Sequence, residues 1–155
     1  MSEKKWSADL YRKAAYRHLN VCIFLENHLS EVKGESEKNI VSDIFYLSGY
    51  IVECILKFCI LQIRHLQKKM FSLEEIEGLK LKTHDLNSLW DMTVNEGKIS
   101  RKDMDVWSKQ NELLKKWDVD CRYMNQERDF FNKDKVIDCF DNNIKKIFYT
   151  INKRY

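Results

Sequence analysis

Apolar residues recur along this chain at spacings of three and four, in long segments separated by short polar stretches. The strongest run is Ile40, Ile44, Leu47, Ile51, Cys54, Phe58 and Leu61, which alternates steps of four and three, the signature of one helix face. A second stripe, Phe45, Val52, Leu56, Cys59, Ile63 and Leu66, flanks it. So wide an apolar surface predicts a helix over 39–68 that packs against several neighbours at the centre of a bundle. Before it, Tyr11, Ala15, Cys22, Leu25 and Leu29 mark a helix over 7–29, with His18 in the same stripe. Ser7 is placed to cap it and Asp9 to sit in its positive first turn. Gly34 marks the intervening turn. Ser72 with Glu75 reads as a capping box opening one short turn that Gly78 ends.

A third long helix is predicted over 83–97 and a fourth over 100–124, capped by Ser100 with Asp103 and striped by Trp107, Leu114, Trp117, Cys121 and Met124. Residues 125–134 read equally as a bend or a continuation. A fifth helix over 133–152 turns Val136, Phe140, Ile144, Ile147 and Ile151 inward. The reading is all-α: a compact bundle of about five helices with a long central second helix, forming one domain over 1–155.

Composition agrees with that pattern. Among 155 residues there is no proline and only four glycines, whereas sheets and long loops draw on both for their turns. Hydrophobic residues make up 44% of the chain, enough for a packed core rather than disorder. The net charge of +3 permits nucleic-acid contact without arguing for it. Five scattered cysteines, Cys22, Cys54, Cys59, Cys121 and Cys139, form no CxxC pair and fall in apolar stripes. They are expected to be reduced core residues of a cytoplasmic protein. The first residues lack the apolar segment of a signal peptide. Glu53, Lys57 and Arg64 interrupt the longest apolar stretch, so no membrane span is expected.

Three polar constellations stand out. Tyr46, Tyr50, Glu53, Lys57 and Arg64 step by four, three, four and seven and so share one side of helix 2. Glu53 and Lys57 form an i,i+4 pair in the favourable order. This strip is either a solvated face or a functional patch of phenols, a carboxylate and cations. His84-Asp85-Leu86 opens the third long helix, with Thr83 or Asp85 as cap and His84 as a titratable group beside it. In Trp117-Asp118-Val119-Asp120-Cys121-Arg122-Tyr123, Asp118 precedes Arg122 by one turn. An arginine held by a carboxylate suits phosphate binding, though a structural ion pair has the same spacing. The four histidines, at 18, 28, 65 and 84, have no metal-ligand spacing. Neither a glycine-rich phosphate loop nor a nucleophile motif occurs, and no metal or cofactor is expected.

These three segments occur in the order seen in a known family. Tyr46-Leu47-Ser48-Gly49-Tyr50-Ile51-Val52-Glu53-Cys54-Ile55-Leu56-Lys57 resembles the second helix of HEPN domains, where an alanine- or glycine-bearing helix carries Glu followed by Leu-Lys. His84-Asp85-Leu86 resembles that family's His-Asp-Leu segment, and Trp117 through Arg122 and Tyr123 its late aromatic–Arg–Tyr segment. Tyr11, Arg12, Ala14 and Ala15 suit its opening helix. The resemblance spans about residues 7–150. It implies a helical bundle, commonly a homodimer, of prokaryotic toxin–antitoxin, CRISPR and phage-defence systems. Its members are metal-independent ribonucleases, or non-catalytic partners of nucleotidyltransferase-like proteins. The ribonucleases place Arg, four to six residues, then His near the end of the bundle. Here no histidine follows His84, and Arg12…His18 has that spacing only by coincidence, in helix 1. The resemblance therefore implies a domain binding RNA or a nucleotide through Glu53, Lys57, His84, Asp85, Arg122 and Tyr123, converging in one groove. The alternatives are a ribonuclease using Arg122 with His84, and a purely dimerising or protein-interaction module.

Overall fold

A computed structural model describes residues 3–97, 112–123 and 132–155. Helix α1 (Ala8–His28) begins where Ser7 Oγ accepts the Leu10 N–H at 3.3 Å, with Asp9 in the first turn. It buries Ala8, Tyr11, Ala15, Leu19 and Cys22 against the next helix. Gly34, at φ +66°, starts helix α2 (Glu35–Ile63).

Helix α2 begins four residues earlier than its apolar stripe predicts, because Glu35 and Glu37 complement the positive N-terminal end. It stops five residues earlier, at a Schellman turn: His65 takes the left-handed conformation at φ 56°, its N–H bonds Gln62 O at 3.0 Å, and the Leu66 N–H bonds Leu61 O at 2.8 Å. From Ile51 to Leu61 every residue is buried. Helix α1, the C-terminal helices, and residues 86–96 and 119–123 surround α2. Its length and hydropathy would suffice to cross a membrane, but 78% of its most apolar window is buried inside the bundle.

Helix α3 (Leu73–Gly78) carries the expected capping box: the Glu75 N–H donates to Ser72 Oγ and the Ser72 N–H to Glu75 Oε2. Gly78 does not supply the left-handed stop. Lys80 does, at φ 61°, in a second Schellman turn closed by Leu81 N–H to Ile76 O at 3.0 Å. Trp6 and Phe71 exchange two 2.8 Å backbone bonds, pinning the lead-in of α1 beside α3.

Helix α4 (Leu86–Glu96) starts three residues later than expected because Asp85, not Thr83, is its cap. Asp85 Oδ1 accepts the Asn87 and Ser88 N–H groups at 3.0 and 3.2 Å, and Oδ2 accepts the Ser88 hydroxyl at 2.9 Å.

The expected helix over 100–124 starts outside the described residues, together with its Ser100 and Asp103 cap, and Met124 also lies outside them. Its described part is not one helix. Helix α5 (Glu112–Lys115) ends, and a 3-10 turn (Val119–Tyr123) follows. The cause is Asp118, whose Oδ1 accepts the Asp120 N–H at 2.6 Å while its carbonyl accepts the Cys121 N–H at 3.0 Å. Such a side-chain turn competes with α-helix. The last segment is one helical rod: α6 (Lys133–Cys139), capped by Asn132; a π-helical turn (Phe140–Ile144); and α7 (Lys145–Arg154). Val136, Phe140, Ile144, Ile147 and Ile151 are buried as the periodicity predicts. The extra residue per turn in the π segment widens the stripe to include Cys139, Asn143 and Phe148. Among the described residues no strand forms, and the architecture is an all-α bundle around a long central helix.

Candidate functional site

The polar strip of α2 is not solvated. Glu53 and Lys57 are only 4% and 5% exposed. Lys57 Nζ donates to Glu53 Oε1 at 2.7 Å. The other carboxylate oxygen, Oε2, lies 2.9 Å from His84 Nδ1. A carboxylate only accepts, so Nδ1 carries the proton and donates it. His84 itself has a side chain 57% exposed. One buried carboxylate therefore joins an interior ammonium to an imidazole at the surface. Tyr11 roofs the pair, with its ring centroid 5.6 Å from Lys57 Nζ. Burial, reinforced by Cys54 and Glu53, pushes the Tyr11 phenol up and keeps it neutral.

Farther along the strip, the Tyr46 hydroxyl donates to that of Tyr50 at 3.1 Å. The Tyr50 ring is the hub of an aromatic cluster. Its centroid lies 5.2 Å from Trp117, 5.9 Å from His18 and 6.5 Å from His84. Trp117 is seated by Gly49. A Cβ added there would fall 1.9–2.2 Å from the indole atoms, so only glycine allows the ring to lie against the helix. The Trp117 Nε1–H then donates to the Tyr46 carbonyl at 2.9 Å. This contact draws the 112–123 segment across α2 and forms a cleft of about 300 Å³ lined by His84, Asp85, Asn87, Lys115, Trp117 and Asp118, among others.

Of the six residues predicted for the site, Glu53, Lys57 and His84 meet in one bonded chain. Asp85 lines the cleft, but its carboxyl is occupied as the α4 cap, and the hydrogen bonds from Ser88 hold it below the usual carboxylate range. Tyr123 does not line the cleft and is 73% exposed. The Arg122 backbone lies in the 3-10 turn, while its side chain is outside the described part of the structure. The expected Asp118–Arg122 pair is outside it too; Asp118 is engaged by its own turn. Arg64 ends the strip but belongs elsewhere. It clasps Glu96 through two bonds of 2.7 and 2.6 Å and donates to the Leu79 carbonyl at 2.9 Å, tying α2 to α3 and α4.

His18 is the residue that the site reading passed over. Arg12, its partner in the coincidental spacing, pairs with Asp9 at 3.0 Å on the surface, but His18 reaches Tyr50. Burial, with Arg17 adding to it and Glu53 opposing, holds the His18 imidazole below its usual range. Its place at the edge of the α1 apolar stripe was the available signal. Among the described residues no three potential ligands are grouped to hold a metal ion. No family model, curated protein or solved structure matches the chain.

Proposed function

We propose that the chain is a HEPN-like cytoplasmic domain that binds RNA or a nucleotide in the cleft beside His84, in a prokaryotic defence or toxin–antitoxin setting. The observation that supports this reading is the Glu53 carboxylate. It is buried and shared between Lys57 and His84, and His84 in turn lines a cleft. A buried ion pair adds little to stability over an apolar one, so its connection to a surface imidazole is the feature that calls for a ligand. His84 and Lys115 offer donors to phosphate, Trp117 a ring edge to a base, and Asn87 an amide to a base's polar atoms. The charges of Asp85 and Asp118 in the same cleft are already engaged by backbone N–H groups.

The homodimer belongs to the same proposal, but the strip of α2 offers little surface for it, because Glu53 and Lys57 are buried and Tyr46 and Tyr50 are half-buried. Leu10, Val21 and Phe24 on α1 are 46%, 41% and 60% exposed and share one face, which suits a second copy. Phe24→Glu is expected to return the mass in light scattering from dimer to monomer.

The direct test of binding is fluorescence anisotropy with a labelled single-stranded RNA 12-mer and with a labelled ATP. At least one is expected to bind, with affinity falling as salt rises and falling again in His84→Gln and Lys115→Gln. Absence of binding to both probes at low salt, with helical content intact, overturns the reading.

A further inference from the structure

We propose that His84 is a phosphoryl acceptor, which takes a phosphoryl group on Nε2 from a donor with a P–N bond and holds it in the cleft beside Lys115. The inference goes beyond ligand binding and does not depend on it.

The imidazole of His84 meets three requirements of a nitrogen nucleophile. It is reachable, since its side chain is 57% exposed and it lines a cleft of about 300 Å³. Its tautomer is fixed. Glu53 Oε2, 2.9 Å from Nδ1, accepts the proton there, so in the neutral ring the lone pair sits on Nε2. No described residue bonds that nitrogen. Finally, the positive charge that grows on the ring as Nε2 bonds phosphorus has a carboxylate waiting for it. Glu53 is 6% exposed, so this interaction is poorly screened by water. Lys57 Nζ, 2.7 Å from Oε1, keeps the carboxylate in place.

The other histidines lack this combination. His28 also has a fixed Nδ1–H, which donates to the Phe24 carbonyl at 2.8 Å, but that acceptor is neutral and the Phe24 ring lies 4.2 Å away. His65 is exposed at the end of α2, and His18 is half-buried against Tyr50. Among the described residues, only His84 joins an exposed ring to a buried carboxylate. Its cleft also suits a phosphoryl group. Lys115 supplies a cation and Asn87 an amide donor, while the acids that share the cleft, Asp85 and Asp118, are engaged by backbone N–H groups.

A phosphorylated imidazole is a reactive species, so an ordinary phosphate ester is too stable to supply it. Another P–N bond exchanges at nearly equal free energy. The Nε2 lone pair attacks phosphorus while the donor's P–N bond breaks. The donor nitrogen, already protonated, leaves as a neutral amine with the electron pair of that bond. The ring keeps its Nδ1 proton and becomes a phosphoimidazolium facing Glu53. Glu53 and Lys57 do not touch the reacting atoms; they are positioning residues.

The test incubates the full chain with potassium phosphoramidate at neutral pH. Peptide mass spectrometry follows each histidine, and NMR identifies the ring nitrogen that carries phosphorus. His84 is expected to react roughly tenfold or more faster than His28 and His65, on Nε2, with a label that is lost in acid and kept in base. His84→Gln is expected to remove the fast phase. Glu53→Gln and Lys115→Gln are each expected to slow it roughly tenfold, with circular dichroism unchanged, and Glu53→Gln to place part of the label on Nδ1. The comparison among histidines of the wild-type chain needs no variant, so it decides the matter whatever Glu53→Gln does to folding. A rate at His84 no greater than at His28 and His65, or a label on Nδ1 in the wild type, overturns the proposal. A rate unchanged in Glu53→Gln or in Lys115→Gln overturns it as well. The outcome leaves the RNA and nucleotide binding reading to its own test.

Discussion

Gly49→Ala is the sharpest probe of how the site is assembled. The added methyl group would lie 1.9, 2.1 and 2.2 Å from three indole atoms of Trp117, well inside contact distance, so the ring must move. Overpacking of this kind costs roughly 1–3 kcal/mol. Moving the ring also stretches or breaks the 2.9 Å bond from Nε1–H to the Tyr46 carbonyl, for about 1 kcal/mol more. Against this, alanine is favoured over glycine inside a helix by about 1 kcal/mol. The net expectation is a destabilisation of about 1–3 kcal/mol, read from urea denaturation followed by circular dichroism. The decisive comparison is the same substitution in a Trp117→Ala background. With the indole gone, the clash term vanishes while the helix-propensity term remains, so Gly49→Ala should there be neutral or stabilising by up to about 1 kcal/mol. An equal loss in both backgrounds would refute the argument that Trp117 is what forbids a side chain at 49.

Other consequences follow from buried charge. Burial, joined by the neighbouring Asp141 carboxylate, raises the Glu26 carboxyl above its ordinary value, against the pull of Lys145. A carboxyl raised in the folded state holds its proton more tightly there than in the unfolded chain. It therefore costs stability as pH climbs from its ordinary value through the folded one. Glu26→Gln should accordingly be more stable than the parent at pH 7 by thermal denaturation, with the gain fading towards pH 4; a gain that is the same at both pH values would contradict this. Lys57→Met alone removes the buried cation that pairs with a carboxylate 6% exposed and should cost about 3–5 kcal/mol. Glu53→Leu with Lys57→Met should recover most or all of that while RNA or nucleotide binding is lost; a double variant as unstable as the single one would show that the ion pair itself holds the fold. Burial pushes Cys22, Cys54, Cys59 and Cys139 up to about 12. The native protein should therefore react only slowly with a thiol reagent, and all five thiols should react once it is unfolded.

The 3.6-residue period made the bundle legible, because every long helix here buries a stripe and α2 buries its whole circumference through its second half. Helix ends were less legible, for a physical reason. The stops after α2 and α3 use His65 and Lys80 in the left-handed conformation, a role that composition assigns to glycine. What selects them is the pair of backbone bonds closing each Schellman turn, together with tertiary ties such as Arg64 to Glu96 and the Leu79 carbonyl. The break before Trp117 was hidden too: Leu114, Trp117 and Cys121 keep helical spacing although Asp118 turns the chain between them. For the site, Glu53 with Lys57 was readable from spacing alone, since both partners lie on one helix. His84 with Glu53, and His18 with Tyr50, depend on which helices become neighbours, and periodicity within a helix carries no information about that. The face of a residue can be read locally; the residue across the groove cannot.

The same distinction bears on why the strip exists. Between Ile51 and Leu61 the chain buries every position of α2, and nine of those eleven are apolar. An apolar pair at 53 and 57 would complete the pattern, and by general experience would leave the bundle as stable or more so. The charged pair is therefore not explained by its own helix. What it gains lies outside α2: Glu53 reaches through the wall to a solvent-facing imidazole, and Lys57 supplies the opposite charge that makes a carboxylate tolerable there. Tyr50 and Trp117 then hold a second imidazole and a cleft against the same spot, at the cost of a glycine in mid-helix. The charged pair at 53 and 57, and the helix propensity given up at 49 to seat Trp117, all serve one location. Local sacrifices that converge in space are what a binding site requires, and what packing alone would not select.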